Sequence, residues 1–303
     1  MKFKSTFMAP LLVIVVMLLL AASRYIEFDV LSYQENICLA VIVLQIVILL
    51  VPSAFYSKLK GEGFVKKLRF APFGIEKFLV TILGSVTLIL GDTLLKLFIY
   101  QISSHSGDYS VYSYYLNGTD PGVLYLLITF ALMPAICEEI LFRAIICAEY
   151  ESSGVVTSVL ASAMLYGMFG IAFGNFPVYF FAGLIFAIIM YMTRSVFASM
   201  LCHLIYSVFN LAAGETVRTV ITKPQSTGFL VFALGSLFLV CLLVFFGECE
   251  RIYYGYALAG KKADYAEACP KFSLKKFSEA LLAPPFLVAV LVFIVAAIQF
   301  GML

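Results

Sequence analysis

The stretch Val123-Leu-Tyr-Leu-Leu-Ile-Thr-Phe-Ala-Leu-Met-Pro-Ala-Ile-Cys-Glu-Glu-Ile-Leu-Phe-Arg-Ala-Ile-Ile-Cys147 decides the fold class. Its 25 residues hold three ionisable groups, Glu138, Glu139 and Arg143, in an otherwise largely apolar run. A helix rises about 1.5 Å per residue, so this run is long enough for the roughly 30 Å hydrocarbon core of a bilayer. Outward from it, eight more apolar runs lie near 7–23, 36–55, 78–102, 155–174, 177–192, 196–213, 228–247 and 280–300. The run at 177–192 is short and follows 155–174 through Gly174-Asn175-Phe176-Pro177, which predicts a helical hairpin with a tight turn. The expectation is an all-α, polytopic integral membrane helical bundle of eight to nine transmembrane helices.

Composition agrees with that expectation. Of 303 residues 63% are hydrophobic and 13% charged, against about 25% charged in a soluble domain. Too few charges remain to cover a water-facing surface. With 20 Lys+Arg against 18 Asp+Glu, a net charge of +2 and no extended basic stretch, a nucleic-acid partner is excluded. The expected environment is the lipid bilayer. The seven cysteines, at 38, 137, 147, 202, 241, 249 and 269, are scattered mostly within apolar runs, with no CxxC spacing. They read as small hydrophobes rather than a disulfide framework.

The cations set an orientation through the positive-inside rule. With the N-terminus cytoplasmic, fourteen loop or terminal cations fall inside (Lys2, Lys4, Lys58, Lys60, Lys66, Lys67, Arg69, Arg194, Arg251, Lys261, Lys262, Lys271, Lys275, Lys276) and three, Arg24, Arg218 and Lys223, outside. The loop 104–122 is then external, and its Tyr109, Tyr112, Tyr114 and Tyr115 suit an interfacial aromatic belt. Asn117-Gly118-Thr119 has the glycosylation pattern, and His105 reads as solvated. The stretch 248–278 is the longest polar segment and reads as a positive-inside loop. The first run, opened by Met-Lys-Phe-Lys and closed by Ala21-Ala22-Ser23, also resembles a secretory signal peptide.

Ionisable groups within spans are costly and mark function by default. They are Asp92 and Lys96 in the third run, Glu138, Glu139 and Arg143 in the fourth, and His203 in the seventh. Asp92 and Lys96, at i and i+4, can neutralise each other or line a path. Glu139 and Arg143 share the same spacing, which predicts a bidentate guanidinium–carboxylate fork. Glu138 points about 100° away around the helix and has no partner within its own turn. A buried carboxylate of that kind takes up a proton, or binds a metal or a water, and is what a general base for water activation requires. The competing reading of the cluster is helix-to-helix glue. His203, with Ser207 and Asn210 continuing its face, is either a hydrogen-bonded structural residue or part of the same chemistry.

Glu138-Glu139-x-x-x-Arg143, a glycine-containing span pair with Gly183, the Thr193-Arg194-Ser195 turn and Ser195-x-x-x-Ser199-x-x-x-His203 together resemble the CAAX protease and bacteriocin-processing (CPBP) family of intramembrane proteases. The resemblance runs over about 120–213 and divides the chain into spans 1–3 with a basic cytoplasmic loop (1–119), a CPBP-like core (120–213), and C-terminal spans with the loop 248–278 (214–303). It implies hydrolysis of a membrane-embedded or lipidated peptide in a multi-pass protein of the bacterial plasma membrane. Glu138 would be the activating acid, Glu139 and Arg143 its support, and His203 the later histidine of the site. It also implies a metal, zinc or another divalent ion, for which Glu138 and His203 are the candidate ligands.

Two positions depart from the family pattern. Where it has Phe-x-x-x-His, this chain has Tyr166-Gly167-Met168-Phe169-Gly170, and where it has His-x-x-x-Asn, this chain has Ser207. Catalytic zinc generally takes three protein ligands and a water, so Glu139, Asn175 or Asn210 would have to complete the set. Gly170-x-x-x-Gly174 instead suggests a small-residue helix contact. Three functions therefore stand: an intramembrane endopeptidase of reduced activity, a catalytically silent relative acting as a membrane scaffold or immunity protein, and a transporter with Asp92, Lys96, Glu138, Glu139 and His203 along its path.

Overall fold

The computed structural model describes residues 5–23, 25, 34–103, 122–222, 227–258 and 272–300, and among these the chain is helical with no strand. Taking contiguous helical segments together, the helices are α1 (Ser5–Ser23), α2 (34–60), α3 (Ile75–Ser103), α4 (Val123–Ser153), α5 (Val155–Phe169), α6 (Phe176–Thr193), α7 (Val196–Thr222), α8 (Thr227–Leu258), α9 (Leu274–Leu281) and α10 (Pro284–Gln299). Six of them are long and apolar enough to cross a bilayer: α2, α3, α4, α6, α7 and α8. A seventh span is α9 with α10, bent by 56° at the break between them. The two shorter apolar helices are α1 and α5. Each of the nine apolar runs thus coincides with a helix, and the protein is a polytopic helical membrane bundle.

In lipid every backbone polar group must be satisfied within the protein, which is why long apolar runs become helices. Between helices the bilayer offers no hydrophobic driving force, so close packing and interhelical hydrogen bonds hold them together. The α5–α6 hairpin shows this at Gly183, where a Cβ would lie 2.9 Å from Ala163 Cα, so only glycine permits the approach. The core gathers around α4. Leu141, Phe142, Ile145 and Ile146 are almost fully buried against Leu165 and Tyr166 of α5, Phe186 and Ile189 of α6, and Cys202 of α7. Helix α1 joins the same core through Val13 and Met17. By contrast α8 is largely exposed, with Phe232, Leu239 and Leu243 on the outside, as suits a helix facing lipid.

The α5–α6 hairpin differs from expectation at its turn. Helix α5 ends at Phe169 rather than near 174, and the next residues leave the helix with Ile171 at φ 49°. The Gly170–Gly174 helix contact is therefore not formed: Gly174 has nothing within 4 Å of its Cβ position, and Gly170 faces the ring of Tyr179.

Basic residues meet at one end of the bundle. Lys60 pairs with Glu149 at 2.8 Å, and Arg69 pairs with Glu151 while its guanidinium lies 4.5 Å over the Tyr191 ring. The backbone beside Arg69 is tied to the start of α7: Val196 N–H donates to Arg69 O at 2.9 Å, and Ser195 Oγ donates to Ala71 O. Arg194 lies 3.8 Å over the Tyr256 ring. The expectations for His105, the four loop tyrosines, Asn117, Arg24, Lys223 and the loop part 259–271 lie outside the described residues.

Candidate active site

Helix α4 carries the two carboxylates, and its backbone is irregular on both sides of them. The ladder widens to π-helical turns at Ile128–Leu132 and again at Ile140–Ile146, leaving Met133–Glu139 as a short α segment between. The first widening precedes Pro134, which has no N–H to give to the ladder. A second proline, Pro52, follows a like widening at Ile46–Leu50 in α2. No proline explains the turn at 140–146. There the hydroxyls of α5 supply hydrogen bonds to the altered backbone: Ser162 Oγ donates to Phe142 O at 2.9 Å and Ser158 Oγ to Cys147 O at 2.8 Å. Such π-bulges are frequent at functional sites.

Glu139, fully buried, points into the bundle. Its Oε1 lies 3.2 Å from Arg143 Nη1 and 3.1 Å from His203 Nδ1, so one carboxylate oxygen serves both groups. The expected bidentate fork is not formed, and Glu139 Oε2 has no hydrogen-bond partner. The guanidinium is engaged elsewhere. Its Nη2 donates to Gly183 O at 3.3 Å, and its carbon lies 4.3 Å from the Tyr166 ring centre and 5.0 Å from that of Phe186. Arg143 thus joins α4, α5 and α6 at one point.

Glu138 finds its partner on another helix. Tyr166 Oη, from α5, donates to Glu138 Oε2 at 2.8 Å. His203 Nε2 stands 3.9 Å from the same oxygen, too far for a direct hydrogen bond. Phe186 stacks on the imidazole at 4.7 Å and 18°, and Nδ1 turned to Glu139 fixes which ring nitrogen faces Glu138. The side chains of Glu139 and Arg143 are fully buried and that of His203 is 5% exposed, whereas that of Glu138 is 14% exposed. The cluster therefore reaches its surroundings through Glu138.

Glu138, Glu139, Arg143 and His203 come together as one cluster. The serines of the His203 register do not join it: Ser195 is tied to Ala71, and Ser199 Oγ donates to Val196 O at 2.9 Å. Asp92 and Lys96 do pair, Nζ to Oδ2 at 2.6 Å, and Lys96 also reaches Asn210 Oδ1 at 3.4 Å. Seven residues beyond His203, Asn210 sits about 10 Å further along α7, so this is a second polar cluster. Tyr166 is the residue touching the cluster that the sequence reading passed over. Its signal was a hydroxyl-bearing aromatic four residues before Gly170, where the family pattern has Phe.

A divalent metal would be held by Glu138 Oε2 and His203 Nε2. A third ligand is missing: among the described residues no group of three His, Cys, Asp or Glu side chains is gathered to hold an ion. Glu139 Oε1 is shared by Arg143 and His203, Asn210 faces Lys96, and position 170 offers no side chain. The residues present do not fit a tightly bound zinc, which generally takes three protein ligands.

A helical membrane bundle with a Glu-Glu-Arg-His cluster in its interior defines the class, a polytopic membrane protein with an intramembrane polar site. Residues 120–209 match the family model described as type II CAAX prenyl endopeptidase Rce1-like, and over that stretch, which holds the whole cluster, the chain is similar to that family. No curated protein and no solved structure matches the chain.

Proposed function

We propose that the protein is an intramembrane endopeptidase that cleaves a membrane-embedded or lipidated peptide with water activated by Glu138. The observation that supports this reading is the approach of Glu138 Oε2 and His203 Nε2 to 3.9 Å at the one partly open corner of the cluster. That gap suits a water bonded to both atoms at about 2.8 Å each. Glu138 takes a proton from this water as its oxygen attacks the peptide carbonyl carbon. His203, protonated on both ring nitrogens in this step, gives its Nδ1–H to Glu139 and donates its Nε2–H to the oxyanion that forms. The carbon–nitrogen bond then breaks, the proton on Glu138 passes to the leaving nitrogen, and a carboxyl product and an amine result.

The test is cleavage of a fluorescent prenylated peptide ending in Cys-aliphatic-aliphatic-X by protein reconstituted in liposomes. A general base contributes about 10²–10⁴ in rate, so Glu138→Gln should abolish measurable product while the protein stays folded. His203→Ala should cost about 10²–10³, as for loss of an oxyanion donor. Full cleavage by both variants would sink the reading. A second reading, a relative that binds such peptides without cutting them, draws on the closure of the Gly170 position by the Tyr179 ring, 3.3 Å from a Cβ placed there. It expects peptide binding in the same liposomes with no Glu138-dependent product.

A further inference from the structure

The hydroxyl of Tyr166 is aimed at the carboxylate on which the proposed reaction depends. A buried phenol needs a hydrogen-bond partner, and this one donates to Glu138 Oε2 at 2.8 Å. The ring cannot easily turn away. Phe142 meets it edge-on at 5.1 Å, Tyr179 and Phe186 lie at 5.6 and 6.2 Å, and the Arg143 guanidinium covers it at 4.3 Å. Arg143 in turn leans on Glu139, and Glu139 on His203. A closed ring of contacts therefore runs from Glu138 through Tyr166, Arg143, Glu139 and His203 back toward Glu138.

We infer that Tyr166 is a positioning residue that fixes the Glu138 carboxylate for water activation, doing so by a hydroxyl where the related pattern has an apolar Phe. The inference rests on the Glu138 reading above. A carboxylate oxygen has two acceptor positions. Tyr166 fills one on Oε2 and leaves the other for a water facing His203 Nε2. The phenol keeps its own proton throughout: it holds the base, and the proton taken from water is carried by Glu138. The same contact supplies a third polar group at a site where position 170 contributes no side chain.

Tyr166→Phe removes the hydroxyl and keeps the ring on which Arg143 rests. A hydrogen bond to a charged group is lost, which predicts a fall in kcat of about 10- to 100-fold with KM unchanged. A second readout needs no substrate: the infrared band of the Glu138 carboxyl, identified as the one lost in Glu138→Gln, should shift in Tyr166→Phe. A kcat equal to that of the unaltered protein, or a loss of activity accompanied by a raised KM and a lowered unfolding temperature, would overturn the inference. If the unaltered protein cleaves no peptide, the endopeptidase reading fails alone; the band then decides for Tyr166, a shift supporting its hold on Glu138 and an unmoved band removing it.

Discussion

Glu139 Oε1 is the atom on which the cluster turns, because the Arg143 guanidinium and His203 Nδ1 both rest on it. Removing one partner of a buried pair costs about 3–5 kcal/mol, since the other charge is stranded. Glu139→Ala should therefore lower the unfolding temperature in detergent markedly, whereas Glu138→Gln, at the partly open corner, should leave it nearly unchanged. Equal stability of the two variants would contradict the division of labour between adjacent acids. Those acids, with Arg143 and His203, were legible in the sequence because a charge or histidine stands out in an apolar run. Tyr166 was not. The chain has 18 Tyr and 29 Phe, so beyond its hydroxyl at the pattern's Phe position one more aromatic carries little contrast, and only the fold shows which phenol meets a carboxylate. The fork expected of Glu139 and Arg143 failed for a related reason: spacing places the two groups side by side, but the aromatic rings of α5 and α6 decide how the guanidinium turns.

At the scale of elements, the end of α5 decides what position 170 can do. The apolar pattern continues through Ile171-Ala172-Phe173, so hydropathy does not mark the stop at Phe169, and Gly170 at the C-cap is the local signal for it. The helix is closed by a buried Ile171 at φ 49°, a conformation costing roughly 1–2 kcal/mol for a residue with a Cβ. Gly170 itself keeps helical angles, φ −65° and ψ −11°, one turn beyond Tyr166 on the same face. A histidine there would point toward the Glu138 side of α5, provided the Tyr179 ring gave way. The double variant Gly170→His with Tyr179→Ala should accordingly complete a three-ligand set with Glu138 and His203. It should retain about one zinc per chain through desalting, measured by elemental analysis, while the unaltered protein retains less. Equal retention by both would show that a missing ligand at 170 is not what limits metal binding. The π-helical turns were equally hidden; among the described residues the one in α2 and the first of the two in α4 precede a proline, but no proline marks the one that follows Glu139.

For the whole molecule, the positions of the spans were legible because each needs about 20 apolar residues in a row; which helices touch was not, since all nine runs look alike from the side of hydropathy. Charge adds the remaining coordinate. Lys60, Arg69 and Arg194 are drawn to one end by Glu149, Glu151, Tyr191 and Tyr256. The positive-inside rule assigns that end to the cytoplasm. Helix α7 starts there at Val196, so His203, seven residues on, lies about 10 Å from that end of the helix. This orientation predicts a cytoplasmic N-terminus and a Glu138 site nearer the cytoplasmic end, where the proposed peptide would enter. Reporter fusions test it directly: alkaline phosphatase joined after Thr222 should be active in a bacterial host and joined after Leu258 inactive, with a fluorescent protein giving the reverse pattern. The opposite result would invert the bundle and place the Glu138 opening nearer the outer face, so that external peptides would be the substrates to try.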